Sequence, residues 1–379
     1  MGNLLGWERR TMSDDRSDRA PVQAAVAEET VSPFLHDRGT VLYNPLTGAS
    51  LPKDGEAYRT LSRLERGLSP ANDPAVFEHL RAARFLIDDV EEEVRRSHLL
   101  YLSLETCTSC NHRCPFCPVS VDPREREVMS QPLFESILDQ VLQVAGRNIN
   151  VFLSNYNEPT VDPLFEERCA ALFARGMTVS ILTNASHFTP ERGARLEAMG
   201  RFRYIGINLP TLDPERYEKM HGTRDLARVL ANIDALHARS LAEETAVVVL
   251  GEEDEAHRRD IAEIIERFGP LGWEVRPFRI RSRPASGTFV PEPPPKKKLK
   301  GCELMGSRPF EHLHVTATAK AVLCCQDYYE RLTIGDLKTQ TVAQILGGDV
   351  MARLRRWTYG VEDAPADFLC RVCEFALGE

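Results

Sequence analysis

Cys110, Cys114 and Cys117 stand in the run Cys110-Asn-His-Arg-Cys114-Pro-Phe-Cys117-Pro. At C-x3-C-x2-C spacing, directly after the apolar run Leu99-Leu100-Tyr101-Leu102, they can offer three thiolates to one corner of a small cage. A [4Fe–4S] cluster has four irons, so three protein ligands leave one iron free to take a small molecule. That vacancy separates a reaction centre from a plain electron carrier. Other uses of the same thiols stay open at this point. A zinc ribbon pairing Cys107/Cys110 with Cys114/Cys117 would leave only three residues between the pairs, far fewer than zinc ribbons use. A ferredoxin-type site would recruit Cys107 as a fourth ligand, and disulfides would need an oxidising compartment.

With Phe116 before the third cysteine and Pro115 and Pro118 flanking it, the motif resembles that of the radical S-adenosylmethionine enzymes. The resemblance implies that the open iron chelates the amino and carboxylate groups of S-adenosylmethionine. Reduction of the cluster, by an external donor such as flavodoxin or ferredoxin, then gives a 5′-deoxyadenosyl radical that abstracts a substrate hydrogen.

The elements around the motif alternate. Strand-like runs recur at 99–104, 150–154, 178–182, 204–208, 246–250 and 274–278, with helical patterns near 131–146, 164–175, 190–199, 225–239 and 255–268. Alternation of this kind predicts an α/β fold with a parallel sheet and right-handed crossovers. Six such units match the partial (β/α)6 TIM-like barrel of the radical family, with chemistry at the C-terminal strand ends. The chain divides into a disordered tail (1–31), a small unit (32–95), the barrel (96–290) and a C-terminal unit (291–379). In the small unit, a strand at Val41-Leu42-Tyr43, a turn at 44–48, helices near 56–66 and 74–83 and a strand at 85–87 are similar to the winged-helix domains of the PqqD type. Those bind leader peptides for peptide-modifying enzymes; a simple cap over the barrel is the alternative.

The resemblance also nominates a cofactor pocket. Tyr156-Asn157-Glu158-Pro159 occupies the place of the family's Gly-Gly-Glu-Pro segment, whose backbone and carboxylate hold the methionine amino group. Here Tyr156 and Asn157 replace the glycines, and an ordinary strand exit is the plainer reading. Thr183-Asn184-Ala185-Ser186 resembles the Thr-Asn-Gly segment that lines the pocket in many relatives. Asn208 ends its strand where it can meet a ribose hydroxyl or the substrate. Helix capping is the competing role for either asparagine.

Past Pro291-Glu292-Pro293-Pro294-Pro295 and Lys296-Lys297-Lys298, which read as a linker with either a solvated basic face or contacts for an acidic peptide, five cysteines remain: Cys302, Cys324, Cys325, Cys370 and Cys373. Their order resembles the auxiliary-cluster domains called SPASM, or its shortened twitch form. The resemblance implies a second [4Fe–4S] cluster held by Cys302, Cys324, Cys370 and Cys373, with a structural zinc as alternative. Cys169 reads as a small buried hydrophobe and Cys107 as packing or a spare thiol. If Cys324 and Cys325 are successive strand residues they face opposite ways, so Cys325 would turn from the auxiliary site toward the barrel mouth. There it resembles the hydrogen donor of radical peptide epimerases, although simple packing, or exchange of roles with Cys324, fits as well.

Composition narrows the rest. In 379 residues, 42% hydrophobic and 27% charged, there is ample core for two or three domains. A net charge of -9 argues against general nucleic-acid binding. No stretch is apolar enough to span a bilayer, the N-terminus lacks a secretory pattern, and Gly6 breaks the myristoylation pattern. A cytoplasmic enzyme without membrane contact is expected, its ten cysteines serving metal or redox chemistry. Three functions follow: epimerisation of a residue in a ribosomal precursor peptide, radical oxidation (dehydrogenation or cross-linking) of a peptide or sugar-like small molecule, and a non-catalytic metal-binding or peptide-docking protein.

Overall fold

The computed structural model describes residues 29–67, 73–281 and 292–379. The expected disorder of residues 1–28 and the residues on either side of the 290/291 boundary lie outside the described residues.

The barrel forms as its periodicity requires. Strands β6 (Tyr101–Leu104), β7 (Asn150–Phe152), β8 (Thr178–Thr183), β9 (Phe202–Asn208), β10 (Ala242–Gly251) and β11 (Glu274–Arg279) pair in sequence order, all parallel. In register, Leu102, Val151, Val179, Ile205 and Val247 or their neighbours two residues on share one face, fully buried against the helices. The alternate positions Ser103, Phe152, Ser180, Tyr204, Leu182, Gly206 and Asn208 share the other face, which mixes small polar residues with aromatic ones. One face makes the core and the other lines the barrel interior with both polar and aromatic side chains. Three of the crossover helices start where the sequence supplies side-chain caps. Thr189, Asp213 and Asp254 accept from the main-chain N–H three residues on, and Pro190 and Pro214 fill the first helical position. The helix Pro214–His221 has no counterpart among the expected helices: in eight residues it has only two buried positions, too few to give a periodic signal.

The sheet does not stop with the barrel. β13 (His312–Val315) pairs parallel with β6, and β14 (Lys320–Val322) and β15 (Thr333–Asp336) follow antiparallel, giving a mixed nine-stranded sheet in the order β11-β10-β9-β8-β7-β6-β13-β14-β15. The C-terminal unit is thereby anchored on the strand that feeds the Cys110 loop. β12 (Leu299–Cys302) closes against β16 (Ala376–Gly378), which brings the first and last auxiliary cysteines together. The supposed linker docks onto this pair: Lys296 N–H donates to the Arg371 carbonyl at 2.8 Å and its Nζ to the Cys373 carbonyl at 2.7 Å.

The N-terminal unit holds a three-stranded antiparallel sheet, β2 (His36–Asp37), β3 (Val41–Asn44) and β4 (Ala49–Pro52), and helices Glu56–Glu65 and Pro74–Ala82. β1 (Thr30–Val31) pairs with β5 (Leu86–Ile87), so residues assigned to the tail are an ordered strand. Leu51, Leu61, Leu80 and Phe85 form its own small core. It is fastened to the C-terminal unit by buried polar contacts: His36 Nε2 lies 2.7 Å from the Tyr359 hydroxyl, and the buried Arg355 guanidinium donates to the carbonyls of Val94, Pro309 and Leu346.

Candidate active site

The Cys110 loop leaves β6 at its C-terminal end. Cys110, Cys114 and Cys117 are half-buried, and Cys117 N–H donates to the Cys114 carbonyl at 3.0 Å before capping the short helix Pro118–Val121. The three sulfurs lie close enough to act on one another. Burial first, then the neighbouring Glu158 charge and the Cys117 sulfur, push the Cys110 thiol up to about 12, and burial with both partner cysteines pushes Cys114 up as well. Arg113 offsets only part of this on Cys110, so thiols so placed suit a cationic metal centre that supplies further positive charge. The loop is pinned from below by the unforeseen helix: Arg113 N–H donates to the His221 carbonyl at 2.8 Å. That close approach requires Gly222, at φ +65, because a Cβ there would sit 2.7 Å from the Arg113 carbonyl oxygen.

Around the loop the nominated pocket residues converge, though not all in the expected manner. Glu158 is 3% exposed, and both its oxygens are engaged inside the protein. Oε1 accepts from Thr160 N–H (3.1 Å), Thr160 Oγ1 (2.6 Å) and Thr183 Oγ1 (2.7 Å), and Oε2 from Asn184 N–H (2.7 Å). Burial raises its proton affinity against these bonds. Glu158 is therefore a tie between the ends of β7 and β8 rather than a carboxylate standing free. The Asn157 side chain folds back on its own turn, accepting from Asn155 N–H and donating to the Leu153 carbonyl. Asn184 reaches the cysteine loop itself, donating to Asn111 Oδ1 at 3.0 Å, and Asn111 donates to Ser186 Oγ at 2.7 Å. Asn111 was missed as a site residue; its place between two ligand cysteines was the signal available. Ala185 sits at φ +58, the left-handed conformation that the glycine of Thr-Asn-Gly segments adopts freely. Asn208 differs from the rest: its Oδ1 is buried with no hydrogen-bond partner among the described residues. An orphaned acceptor at a barrel strand end fits a ligand that brings a hydroxyl donor.

The second set of thiols also converges. Cys302 feels Cys373 and Cys325, Cys370 feels Cys373 and Cys302, and Cys324 and Cys325 share a hydrogen bond. Burial pushes the Cys302 thiol up to about 12. The strand ends at Val322, so Cys324 and Cys325 lie beyond it, with Cys325 in a turn. Strand alternation thus does not govern them, and the inference that their side chains must diverge is corrected: both sulfurs belong to one five-thiol group. Cys324 Sγ accepts from Gln326 N–H at 3.1 Å. The Tyr156 hydroxyl donates to the Cys325 carbonyl, and Tyr156 joins Val119 and Tyr328 in a cluster against which Cys110 and Cys117 pack, so this cluster links the first thiol set to the second.

Comparison with known proteins agrees with this geometry. The profile of the radical SAM superfamily matches residues 104–265, and that of an iron-sulfur cluster-binding domain, SPASM, matches residues 302–374. The chain carries a radical SAM domain and a SPASM domain. These imply a [4Fe–4S] cluster with S-adenosylmethionine and an auxiliary cluster, which the two thiol sets fit. A GTP 3′,8-cyclase of Pseudomonas putida (strain W619) is 27% identical over 157 residues, 40% of this chain and 44% of the relative. This chain thus spans about half the length of the curated relatives it matches. Among solved structures, Streptococcus suis SuiB bound to precursor peptide SuiA aligns with 86% of this chain and 90% of its own at 12% identity, with a TM-score of 0.57. The protein anSMEcpe, with bound AdoMet and Cp18Cys peptide, aligns with 73% and 86% at 12% identity and a TM-score of 0.51. The shared fold is a partial barrel followed by a SPASM unit. No helix among the described residues is long and apolar enough to cross a membrane.

Proposed function

We propose that this chain is a radical S-adenosylmethionine enzyme that modifies a precursor peptide by inverting an amino-acid centre. When bound, the reduced cluster and S-adenosylmethionine supply a 5′-deoxyadenosyl radical that removes a hydrogen atom from the substrate. In this reading Cys110, Cys114 and Cys117 hold the reactive cluster. The knot of Glu158, Thr183 and Asn184 fixes the strand ends beside it, and Asn208 Oδ1 accepts from a cofactor or substrate hydroxyl.

The observation that carries the inversion is the surplus thiol. Four thiolates saturate a cubane cluster, and five sulfurs converge. The N–H donated to Cys324 Sγ is the kind of outer bond that supports a ligand sulfur, which leaves Cys325 in excess. Its main chain is held by Tyr156, against the first thiol set. Cys325 Sγ–H then gives a hydrogen atom to the substrate carbon radical, forming the C–H bond on the opposite face. The sulfur radical left behind is restored by one electron from the external donor, a flavodoxin or ferredoxin, and one proton from solvent. A peptide substrate is supported by the peptides bound to SuiB and anSMEcpe, which share the fold, and by the N-terminal unit, whose strands and helices suit leader binding.

Reconstituted protein, incubated anaerobically in heavy water with reductant, S-adenosylmethionine and candidate precursor peptides, tests the reading. The expected product has unchanged composition and one deuterium at each inverted carbon. Cys325→Ala is expected to cleave S-adenosylmethionine yet yield no inverted peptide. An inverted product without label, or a product lighter by two hydrogens, overturns it; the latter gives the oxidative reading instead.

A further inference from the structure

Behind the cysteine loop lies a knot of polar side chains that neither cluster nor cofactor uses. His112 is 2% exposed and His221 fully buried, and none of their four ring nitrogens has a hydrogen-bond partner among the described residues. Their rings stand 4.8 Å apart by centroid, and Tyr217 packs edge-on to both. A buried polar group left unsatisfied costs roughly 1–3 kcal/mol, so a pair of adjacent bare imidazoles calls for an occupant.

Cys114 supplies the third member. One donor atom from each of His112, Cys114 and His221 lies within 4.8 Å of the other two. Zn–N and Zn–S bonds of about 2.1 and 2.3 Å set tetrahedral donor separations of roughly 3.3–3.7 Å, which small side-chain rotations reach. The backbone holds the donors in place: His112 and Cys114 flank Arg113, whose N–H is bonded to the carbonyl of His221. Asp225 Oδ2, which already accepts from Arg228 at 2.6 Å, stands 3.5 Å from His112 Nε2 as the partner that orients the ring.

We propose that, before the iron-sulfur cluster is installed, His112, Cys114 and His221 bind a divalent cation of the zinc class. Binding exchanges the Cys114 thiol proton, released to solvent, for a metal–sulfur bond, with no redox change. Because Cys114 belongs to both constellations, metal occupancy withholds it from the cluster. The site is independent of whether the enzyme epimerises or oxidises its substrate.

Metal-free protein titrated with Co2+ under anaerobic conditions tests this directly. The auxiliary thiols bind cobalt too, with an all-thiolate spectrum, and serve as an internal control of folding. Wild-type protein is expected to bind one further equivalent with a mixed nitrogen–sulfur spectrum, and His112→Ala and His221→Ala each to lower its affinity by at least about tenfold while keeping the all-thiolate signal. If an alanine variant loses both signals, His112→Asn or His221→Asn, closer in size, decides. Equal equivalents and equal spectra in wild type and variants overturn the site. In a second arm, Zn2+ supplied beyond the equivalent taken by the auxiliary thiols is expected to slow cluster reconstitution more in wild type than in His221→Ala. Cobalt binding without that competition keeps the site and overturns the sharing of Cys114, a result separable from any failure of peptide inversion.

Discussion

The two thiol sets are assembled in opposite ways. The first is local: three cysteines within one loop, half-buried, directed by the end of β6 and by main-chain bonds to Glu158 and His221. The second is gathered from three distant stretches, and becomes a set only when β12 pairs with β16 and the turn after β14 folds in. A site made of one loop is separable from the stability of its scaffold. A site made by closing a unit is part of that stability.

Single substitutions sharpen this difference most. Cys114→Ala is expected to remove about 4 of roughly 8 irons per chain and to abolish S-adenosylmethionine cleavage, at least a thousandfold on the order of loss of a cofactor. The melting temperature of the metal-free protein should hardly move, since the loop is fastened by backbone bonds that the change leaves intact. Cys370→Ala is expected to remove the other ~4 irons and also to loosen the C-terminal unit, lowering the melting temperature of the loaded protein by several degrees. Iron analysis and calorimetry on both variants check the contrast. Equal melting losses would erase it.

The same contrast explains what the sequence disclosed. All six barrel strands and the five long crossover helices were legible, because their periods of two and 3.6 are local. The first cysteine trio was legible for the same reason. The helix Pro214–His221, whose role is to meet a loop a hundred residues earlier, left no pattern. Neither did the engagement of Glu158, which depends on Thr183 and Asn184 arriving from the next strand. The direction of the Cys325 side chain was not legible, because alternation does not extend past Val322, where the strand ends and a turn begins. In each case the missing information was a tertiary contact.

Acid should separate the barrel from the auxiliary unit. Glu166 on the helix Phe165–Ala174 binds Arg192 and Arg195 of the helix Pro190–Met199, and these guanidinium contacts hold its carboxyl down at about 2. With the folded value below the ordinary 4.5, the pair stabilises fully above pH 4.5 and its contribution is lost as pH falls through 2. Allowing for partial exposure and screening, about 1–2 kcal/mol disappears over that window. Denaturant midpoints between pH 5 and 2.5 are expected to fall less in Glu166→Gln than in wild type, because the variant has already lost the titrating group. Parallel slopes in the two proteins would remove this pair from the barrel's acid response.

The smallest effect concerns strain stored beside the first thiol set. Ala185 is 1% exposed at φ +58, with its N–H bonded to Thr183 Oγ1 and its carbonyl to Asn232 Nδ2. Left-handed backbone costs a non-glycine residue about 1–2 kcal/mol. Ala185→Gly relieves that cost but gives the unfolded chain more freedom, which returns about 0.4–1 kcal/mol. A net gain of up to about 1 kcal/mol remains, read as a rise of roughly 1–3 °C in melting temperature. The strain sits in the segment whose Asn184 bonds to Asn111 of the cysteine loop. If the strain only pays for packing of the buried methyl, the variant melts lower. If it holds the segment against the loop, the variant melts higher while S-adenosylmethionine binds more weakly. Calorimetry and ligand titration on one variant thus decide whether the local site is as separable from its scaffold as its cysteines suggest.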